Sequence, residues 1–425
     1  MRIRMKIHNT NWRVRKSAIL LFFCFIPFFQ PGCIDSFIAY NINSAIYEVV
    51  RFLFNSSKLA ISVIVVTLTI VKMMNNRRER NKKTVLFPYF FISSCLVIVS
   101  NVYNHFGIGS VFVGIYEIGF LCLCELAVEK GDGLFLKVLM AFFGVYSIIG
   151  ACSAFIFPNG FNHAADIHYA IFFLGSKNAS VNAYLLFLMV YSGVFYLRNN
   201  ILPVGSFLYA LLFLLSGFVM QSSSTIISLG LLILFYIVYG VLKRERFIRP
   251  WISFVVVILG LLFIYFGSAS PRIVHLLSYL GRDITYSGRT ILWKQAIDYF
   301  HASPILGGGS RITFSNFSGT IQYGAHSQYF DRLAKYGIIS FAGMIAAMVM
   351  TERLLITSEN KKLTSLIGVI FSVFLFRIGF DSYNFAYIIV ICYSILSLVN
   401  KSEQEFGLRN NRKSYHFRRI RGNLR

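Results

Sequence analysis

The sequence predicts an all-α polytopic integral membrane protein with about twelve transmembrane helices and one large extracytoplasmic loop. A mean hydropathy of +0.64 is far above that of a soluble domain. Hydrophobic residues make up 56% of the chain and charged residues only 14%, which is typical of membrane proteins. Apolar runs long enough to cross a bilayer as helices recur along the chain, and helices alone satisfy their own backbone groups there.

Lysine and arginine set the predicted orientation of these runs. They cluster in short segments between apolar runs, and basic residues near span ends remain cytoplasmic. This rule places both termini in the cytoplasm, and it favours an uncleaved anchor over a signal peptide at the first run. The predicted spans are 17–32, 58–74, 85–103, 111–128, 134–157, 179–197, 201–220, 225–242, 250–266, 337–355, 363–379 and 385–400.

The predicted spans divide the chain into four parts. Residues 1–266 form an N-terminal transmembrane bundle of about nine spans, and residues 267–336 form the large extracytoplasmic loop. Residues 337–400 form the C-terminal transmembrane helices, and 401–425 a basic cytoplasmic tail. Because a long loop inside a compact domain is usually functional, we expect the chemistry in 267–336.

Several classes of function are excluded by the residue pattern. The net charge of +24 invites a nucleic-acid partner, but its basic residues lie between spans, where they have a topological role. The seven cysteines lie mostly inside apolar runs, which indicates structural roles and neither disulfides nor zinc. We find no Walker loop, no HExxH and no dinucleotide fingerprint. The expected partner is the bilayer, without nucleic acid, metal or cofactor.

A few ionisable residues lie within or beside the predicted spans. Glu117 and Glu125 fall in the fourth span, while Arg377 and Asp381 bracket the outer end of the eleventh. Such groups are costly in a membrane and are usually paired or functional. Arg377 and Asp381 are four residues apart, so the sequence leaves open a mutual salt bridge or the lining of a polar cavity.

The first half of the loop reads as an amphipathic helix starting near Arg289. Trp293 within it is predicted to anchor at the membrane interface. Pro304 and the glycines 307–309 are predicted to end this helix in a turn, with a cradle for a diphosphate as the alternative.

The second half of the loop opens another helix near His326. His326 and Tyr329 are about one turn apart and Arg332 lies three residues further, so we expect one helix face to present all three. Arginine binds phosphate oxygens in pairs, and histidine can remove a proton from a hydroxyl. This pair suffices for transfer from a phosphate-activated donor, although ordinary surface residues are the alternative.

Two motifs in the loop carry a family resemblance. They read GR-x3-W-x10-P-x-LG-x-G and AH-x2-Y-x7-G, and together they resemble the signature loop of the superfamily of O-antigen ligases and Wzy polymerases. The upstream segment FFLGSKNASVNAYL is similar to that family's G-x-x-x-N segment, although Gly175 and Asn178 are one residue closer together here. The chain departs at 223–225, where Ser-Ser-Thr stands in place of the family's Ser-Arg-Thr, so phosphate binding must use other basic groups. The motif residues are Gly288, Arg289, Trp293, Pro304, Leu306, Gly307, Gly309, His326, Tyr329 and Gly337, with Gly175, Lys177 and Asn178 upstream.

The resemblance implies a metal-independent, GT-C-like glycosyltransferase of the bacterial inner membrane that uses undecaprenyl-diphosphate-linked oligosaccharide. His326 would be the general base, and Arg289 would hold the diphosphate and stabilise it as it leaves. A flippase and a chain-length regulator are further candidate partners. The candidate substrate-binding residues are Arg282, Lys177, Asn178, Arg311, Tyr329, Arg332 and Arg377.

Three functions are compatible with this sequence. The preferred one is a polymerase that joins lipid-linked repeat units of O-antigen, capsule or exopolysaccharide at the outer face of the inner membrane. The second is an O-antigen ligase that passes the glycan to lipid A core or to a protein. The third is a flippase or transporter without chemistry, against which the long motif-bearing loop counts.

Overall fold

The computed structural model describes most of the chain and leaves out the termini and several connections. Described are residues 12–34, 44–75, 86–130, 133–161, 170–199, 204–242, 289–316, 321–358, 361–381 and 386–398, with positions 255, 258, 259, 262 and 319. Arg282, Gly288 and the tail 401–425 lie outside them.

The described residues are almost all helical, as the sequence predicts. One 3-10 turn, Ile26–Phe29, carries Pro27 at the end of the first apolar run. The helices are α1 (Trp12–Phe25), α2 (Ser44–Asn75), α3 (Leu86–Tyr103), α4 (Ile108–Lys130), α5 (Leu134–Ile156), α6 (Ser180–Asn199), α7 (Val204–Val219), α8 (Ser223–Leu242), α9 (Arg289–Ala302), α10 (Gln328–Thr357), α11 (Lys361–Ile378) and α12 (Ala386–Leu398).

Four of the described helices, within α2, α4, α5 and α10, are long and apolar enough to cross a membrane. Shorter apolar helices occupy the other predicted spans, except the ninth, 250–266, which lies almost entirely outside the described residues. The helical membrane class is thus supported, while the number of spans stays a prediction.

An aromatic cluster forms the centre of the helix packing. Phe120 of α4 lies 4.6 Å from Tyr387 of α12 and 6.1 Å from Phe25 of α1, measured between ring centroids. Phe25 also contacts Phe142 of α5 at 5.8 Å. Tilted and edge-to-face rings of this kind add to the stability gained from packing alone. These contacts join the first, middle and last of the described helices.

A buried ion pair joins α10 to α4. Arg332 Nη1 lies 3.2 Å from Glu117 Oε1, and both side chains are almost fully buried. Arg332 also donates to Ser93 Oγ and Ser340 Oγ, and Ser94 Oγ donates to the second oxygen of Glu117. Because each charge has an opposite partner and hydrogen bonds, the cost of burying them is offset.

Two short hairpins lie outside the helices. β1 (Ile171–Phe172) pairs antiparallel with β2 (Gly175–Ser176), directly before α6. β3 (Phe314–Ser315) pairs antiparallel with β4 (Ile321–Gln322), in the connection between α9 and α10.

The connection after α9 docks into a break in α10 at Gly337. Gly337 has φ 70° and ψ −176°, a conformation that is essentially restricted to glycine. The break frees helix carbonyls, so the Gly308 and Gly309 N–H groups donate to Ala334 O and Lys335 O, and Ile338 N–H donates to Pro304 O. The glycines 307–309 therefore do not end α9, which stops at Ala302, and two of their N–H groups are occupied by α10 rather than cradling a diphosphate.

We expect Gly337→Ala to destabilise the folded protein strongly. A Cβ at this position would lie 2.1 Å from Ile305 O, and the backbone conformation alone costs about 1–3 kcal/mol for a non-glycine residue. The matched control is Gly230→Ala in α8, where an added Cβ meets nothing within 4 Å. The check is the thermal unfolding midpoint in detergent, and equal midpoints for the two variants would contradict the role of the break.

Candidate functional site

The two halves of the loop motif are joined by Trp293. Its side chain is fully buried, its ring stacks on Phe330 at a centroid distance of 5.3 Å, and its Nε1 donates to Ala325 O at 3.0 Å. The prediction of a membrane-interface anchor is therefore wrong, because the indole lies inside the protein. Trp293 instead fixes the residue that precedes His326.

Ala325 is held through both of its backbone groups. Its carbonyl accepts the indole N–H, and its own N–H donates to Asp331 Oδ1 at 2.8 Å. Lys335 lies 3.6 Å from the same carboxylate oxygen and donates to Tyr323 O. The backbone that leads into His326 is thus held by α9 on one side and by the first turns of α10 on the other.

His326 lies in the loop and not on the helix. It has φ 52°, a left-handed conformation that non-glycine residues seldom adopt, and α10 begins two residues later at Gln328. Residues held in such conformations cluster at functional sites. Its half-buried side chain is therefore placed by the loop backbone rather than by helix periodicity.

The electrostatic environment favours a neutral His326. Burial lowers its pKa below the ordinary value, and the Arg289 cation lowers it further. The carboxylates of Asp381 and Asp331 act in the opposite direction without reversing the shift. The site thus brings Arg289, at the start of α9, into the electrostatic reach of His326, and a neutral imidazole is able to accept a proton.

The expectation that one helix face presents His326, Tyr329 and Arg332 together is wrong. Tyr329 is buried and donates its hydroxyl to Leu375 O of α11 at 3.1 Å. The Arg332 guanidinium points into the bundle toward Glu117. Since His326 precedes the helix, its position does not follow the helical repeat, and neither of the other two groups is available to a substrate in this arrangement.

A second polar cluster adjoins the His326 loop at the end of α11. The predicted salt bridge is confirmed, because Arg377 Nη2 lies 2.9 Å from Asp381 Oδ2. Arg377 also donates to Asn182 Oδ1 and to Asn178 O at the start of α6. The Asp381 carbonyl accepts the N–H of Gln328 at 3.2 Å, which ties the cluster to the start of α10.

The upstream motif and the Ser-Ser-Thr segment at 223–225, which differs from the family's Ser-Arg-Thr, meet in the same cluster. Asn178 Oδ1 accepts hydrogen bonds from Ser222 Oγ at 3.0 Å and Ser224 Oγ at 3.2 Å. Thr225 Oγ1 donates to Lys177 O at 3.5 Å. Segments more than forty residues apart in the chain are thereby brought together by hydroxyl and amide groups.

The buried polar atoms near the cluster include a hydroxyl and an amide nitrogen that have no hydrogen-bond partner among the described residues. These two are Ser327 Oγ, next to His326, and Asn182 Nδ2, on the amide that receives Arg377. Buried polar groups are nearly always paired, so an unpaired one requires an explanation. A hydroxyl-rich ligand such as a sugar would supply partners for both.

Of the remaining predicted substrate-binding residues, not all lie in this polar cluster. Arg311 is exposed and lies beyond the far end of α9, where Tyr299 OH donates to Thr313 O. Arg282 lies outside the described residues. Lys177 is half-buried beside Asn178 and adjoins the cluster.

A comparison with protein families finds a match in the region that contains Arg289 and His326. Residues 208–345 match the family described as O-antigen ligase. These residues resemble an O-antigen ligase domain. The resemblance read from the loop motifs is thereby confirmed, and the domain supports a role in polysaccharide synthesis. No curated protein matches the chain.

The O-antigen ligase domain contains only part of the polar cluster. Arg289, His326 and the Ser-Ser-Thr segment fall within the matched residues, whereas Asn178 and Arg377 lie outside them and reach the domain through packing. Sequence reasoning missed Asn182. The one signal for it in the sequence is its spacing of four residues from Asn178. It also missed Asp331 and Trp293 as groups that position the loop, because the side chains of both bind backbone atoms of Ala325.

Proposed function

We propose that the protein polymerises lipid-linked repeat units of a bacterial surface polysaccharide. The observation that carries this proposal is the convergence of Arg289, a neutral His326 and the Arg377 cluster at one end of the bundle. Under the predicted orientation that end faces outward, and both termini are cytoplasmic. The substrate would be an undecaprenyl-diphosphate-linked oligosaccharide, and no metal takes part in the proposed step.

In the proposed reaction, a hydroxyl of one lipid-linked unit attacks the anomeric carbon of another. The new glycosidic bond forms as the bond between that carbon and the diphosphate oxygen breaks, and the lipid diphosphate leaves with the electron pair. His326 takes the proton of the attacking hydroxyl. Arg289 stabilises the charge that grows on the diphosphate, with Arg377 and Lys177 as nearby cations.

The geometry assigns different tasks to the other predicted binding residues. Asn178, Asn182 and Ser327 would bind sugar hydroxyls, since two of them offer buried polar atoms without a partner among the described residues. Tyr329 and Arg332 would act by fixing α10 against α11 and α4. Arg282 would be a further phosphate ligand.

Ligase activity is the second candidate, because the matched family is described as O-antigen ligase. A ligase would use the same groups and would differ only in the acceptor, lipid A core or a protein.

Glycan analysis of a deletion strain separates the two candidates. Loss of a polymerase leaves single repeat units on the lipid acceptor, because the units are made and transferred but never joined. Loss of a ligase leaves long lipid-linked chains that reach no acceptor. We expect the first result after electrophoresis of the extracted polysaccharides, and long unattached chains would overturn the polymerase proposal in favour of the ligase.

A further inference from the structure

A groove separate from the His326 cluster lies between α2 and α4. Its volume is about 590 Å³, and its walls carry Arg51 and Phe52 from α2, Phe112 from α4, and Arg311 from the connection after α9. Asn55, Ser110 and Ser310 add polar groups to the same walls. The groove is therefore amphipathic, with guanidinium groups and apolar rings in one space.

The charge of the groove is positive. Among the described lining residues there is no carboxylate. The acidic neighbour is Glu48, 3.9 Å from Arg51, but both side chains are more than half exposed, so this pair contributes little. Lys58 does not line the groove, but its Nζ lies 5.1 Å from the ring centroid of Tyr116, which does. Guanidinium groups that face one space are suited to binding phosphate oxygens.

The apolar part of the groove continues onto the exposed face of α2. Val49, Phe52 and Leu53 are more than half exposed there, on a helix long and apolar enough to cross a membrane. An apolar chain attached to a phosphate would find a continuous apolar surface on this helix. The groove thus fits a phosphate that is carried by a lipid better than a soluble anion.

The groove and Arg289 lie toward opposite ends of α9. The segment with Arg311 is held by the bond from Ser310 N–H to Asn101 Oδ1 at 2.8 Å. It follows the C-terminal end of α9, whereas Arg289 begins that helix. Tyr299 OH, in the last turn of α9, donates to Thr313 O two residues after Arg311, so the groove lies near that end of the helix and not at the Arg289 end.

We propose that this groove binds the diphosphate of the acceptor, the second lipid-linked unit in the reaction. This inference rests on the proposed polymerase function, because only a polymerase has two substrates carried on lipid diphosphates. The donor loses its diphosphate at the reacting carbon, so that group must lie beside Arg289. The acceptor reacts at a hydroxyl and keeps its diphosphate, which must lie away from the reacting carbon, and the groove lies away from Arg289.

Counting bound diphosphates tests the groove directly. The full-length protein in phosphatidylcholine nanodiscs is titrated with undecaprenyl diphosphate lacking a glycan, and bound ligands are counted by native mass spectrometry. We expect two on wild type, one on Arg51→Gln/Arg311→Gln, and one on Arg289→Gln. Lys294→Gln, an exposed cation in the middle of α9, is the matched control and should bind two.

Steady-state kinetics test the assignment to the acceptor. The double variant should raise the acceptor KM by about tenfold or more and leave kcat and the donor KM unchanged, since it removes only ground-state contacts. A rise in the donor KM instead would overturn the assignment.

Two further outcomes would overturn the groove as a substrate site. One is a single bound diphosphate on wild type. The other is loss of the second diphosphate when phosphatidylglycerol replaces part of the phosphatidylcholine, because the groove would then be a general anionic-lipid site. Normal activity of His326→Ala would refute the proposed reaction without altering the binding counts, so the two failures are distinguishable.

Discussion

His326→Ala is expected to reduce glycan transfer by about a hundredfold to ten-thousandfold, because the attacking hydroxyl loses the proposed base that takes its proton. Binding of the lipid-linked donor should persist, since in the proposed reaction the arginines hold the diphosphate and the helices hold the lipid. The measurements are transfer rate and donor binding on the purified protein in nanodiscs.

The control for this variant is His301→Ala. His301 is exposed near the end of α9, in the same connection between apolar helices, and should be close to wild type. Ordinary transfer by a well-expressed His326→Ala protein would refute the catalytic role. Equal loss in both variants would also count against it, because it would show that the segment tolerates no change.

The pH dependence follows from the lowered pKa of His326. The imidazole must be neutral to accept a proton. Burial and the Arg289 cation both lower its pKa, so it stays neutral at pH values somewhat below its ordinary pKa of 6.5. The rate should therefore stay level down to that pH and fall only under more acidic conditions. Asp381 raises this pKa, so Asp381→Asn should move the fall to still lower pH. A fall centred above 6.5 would contradict the assignment.

Arg289→Lys is expected to impair transfer nearly as much as Arg289→Ala. A guanidinium binds two phosphate oxygens at once in a fixed plane, whereas an ammonium offers a point charge, so the retained charge replaces little of the contact. Losing one such group that stabilises transition-state charge typically costs about a hundredfold to a thousandfold in rate. The measurement is kcat for transfer with saturating donor.

Lys294→Arg is the matched control for Arg289→Lys. It is an exposed exchange of the same two residue types on the same helix and should leave the rate unchanged. A lysine variant at 289 that makes glycan at the ordinary rate would show that Arg289 is only a surface charge. Lys177 and Arg282 would then be the next residues to exchange.

The sequence predicted well what depends on hydrophobicity and helix spacing. Apolar runs became helices, the predicted amphipathic segment near Arg289 became α9, and Arg377 paired with Asp381 one turn away. Each of these depends on residues close in the chain, where the helical repeat determines neighbours.

What failed depends on contacts between distant segments. Arg332 was expected to face a substrate, but its partner Glu117 is 215 residues away and no local pattern indicates that pair. Trp293 was expected in the interface, yet the carbonyl that accepts its N–H belongs to the other half of the motif. The left-handed conformation of His326 was likewise not visible in the sequence, because it is imposed by the bonds on both sides of Ala325.

The double anchoring of Ala325 has a consequence for how such proteins diversify. Because α9 and α10 hold this residue directly, the intervening β3–β4 hairpin is not needed to transmit position to His326. The hairpin is therefore free to change in length and composition while the reacting groups keep their arrangement. Insertions or deletions in the hairpin would then leave the proposed chemistry in place.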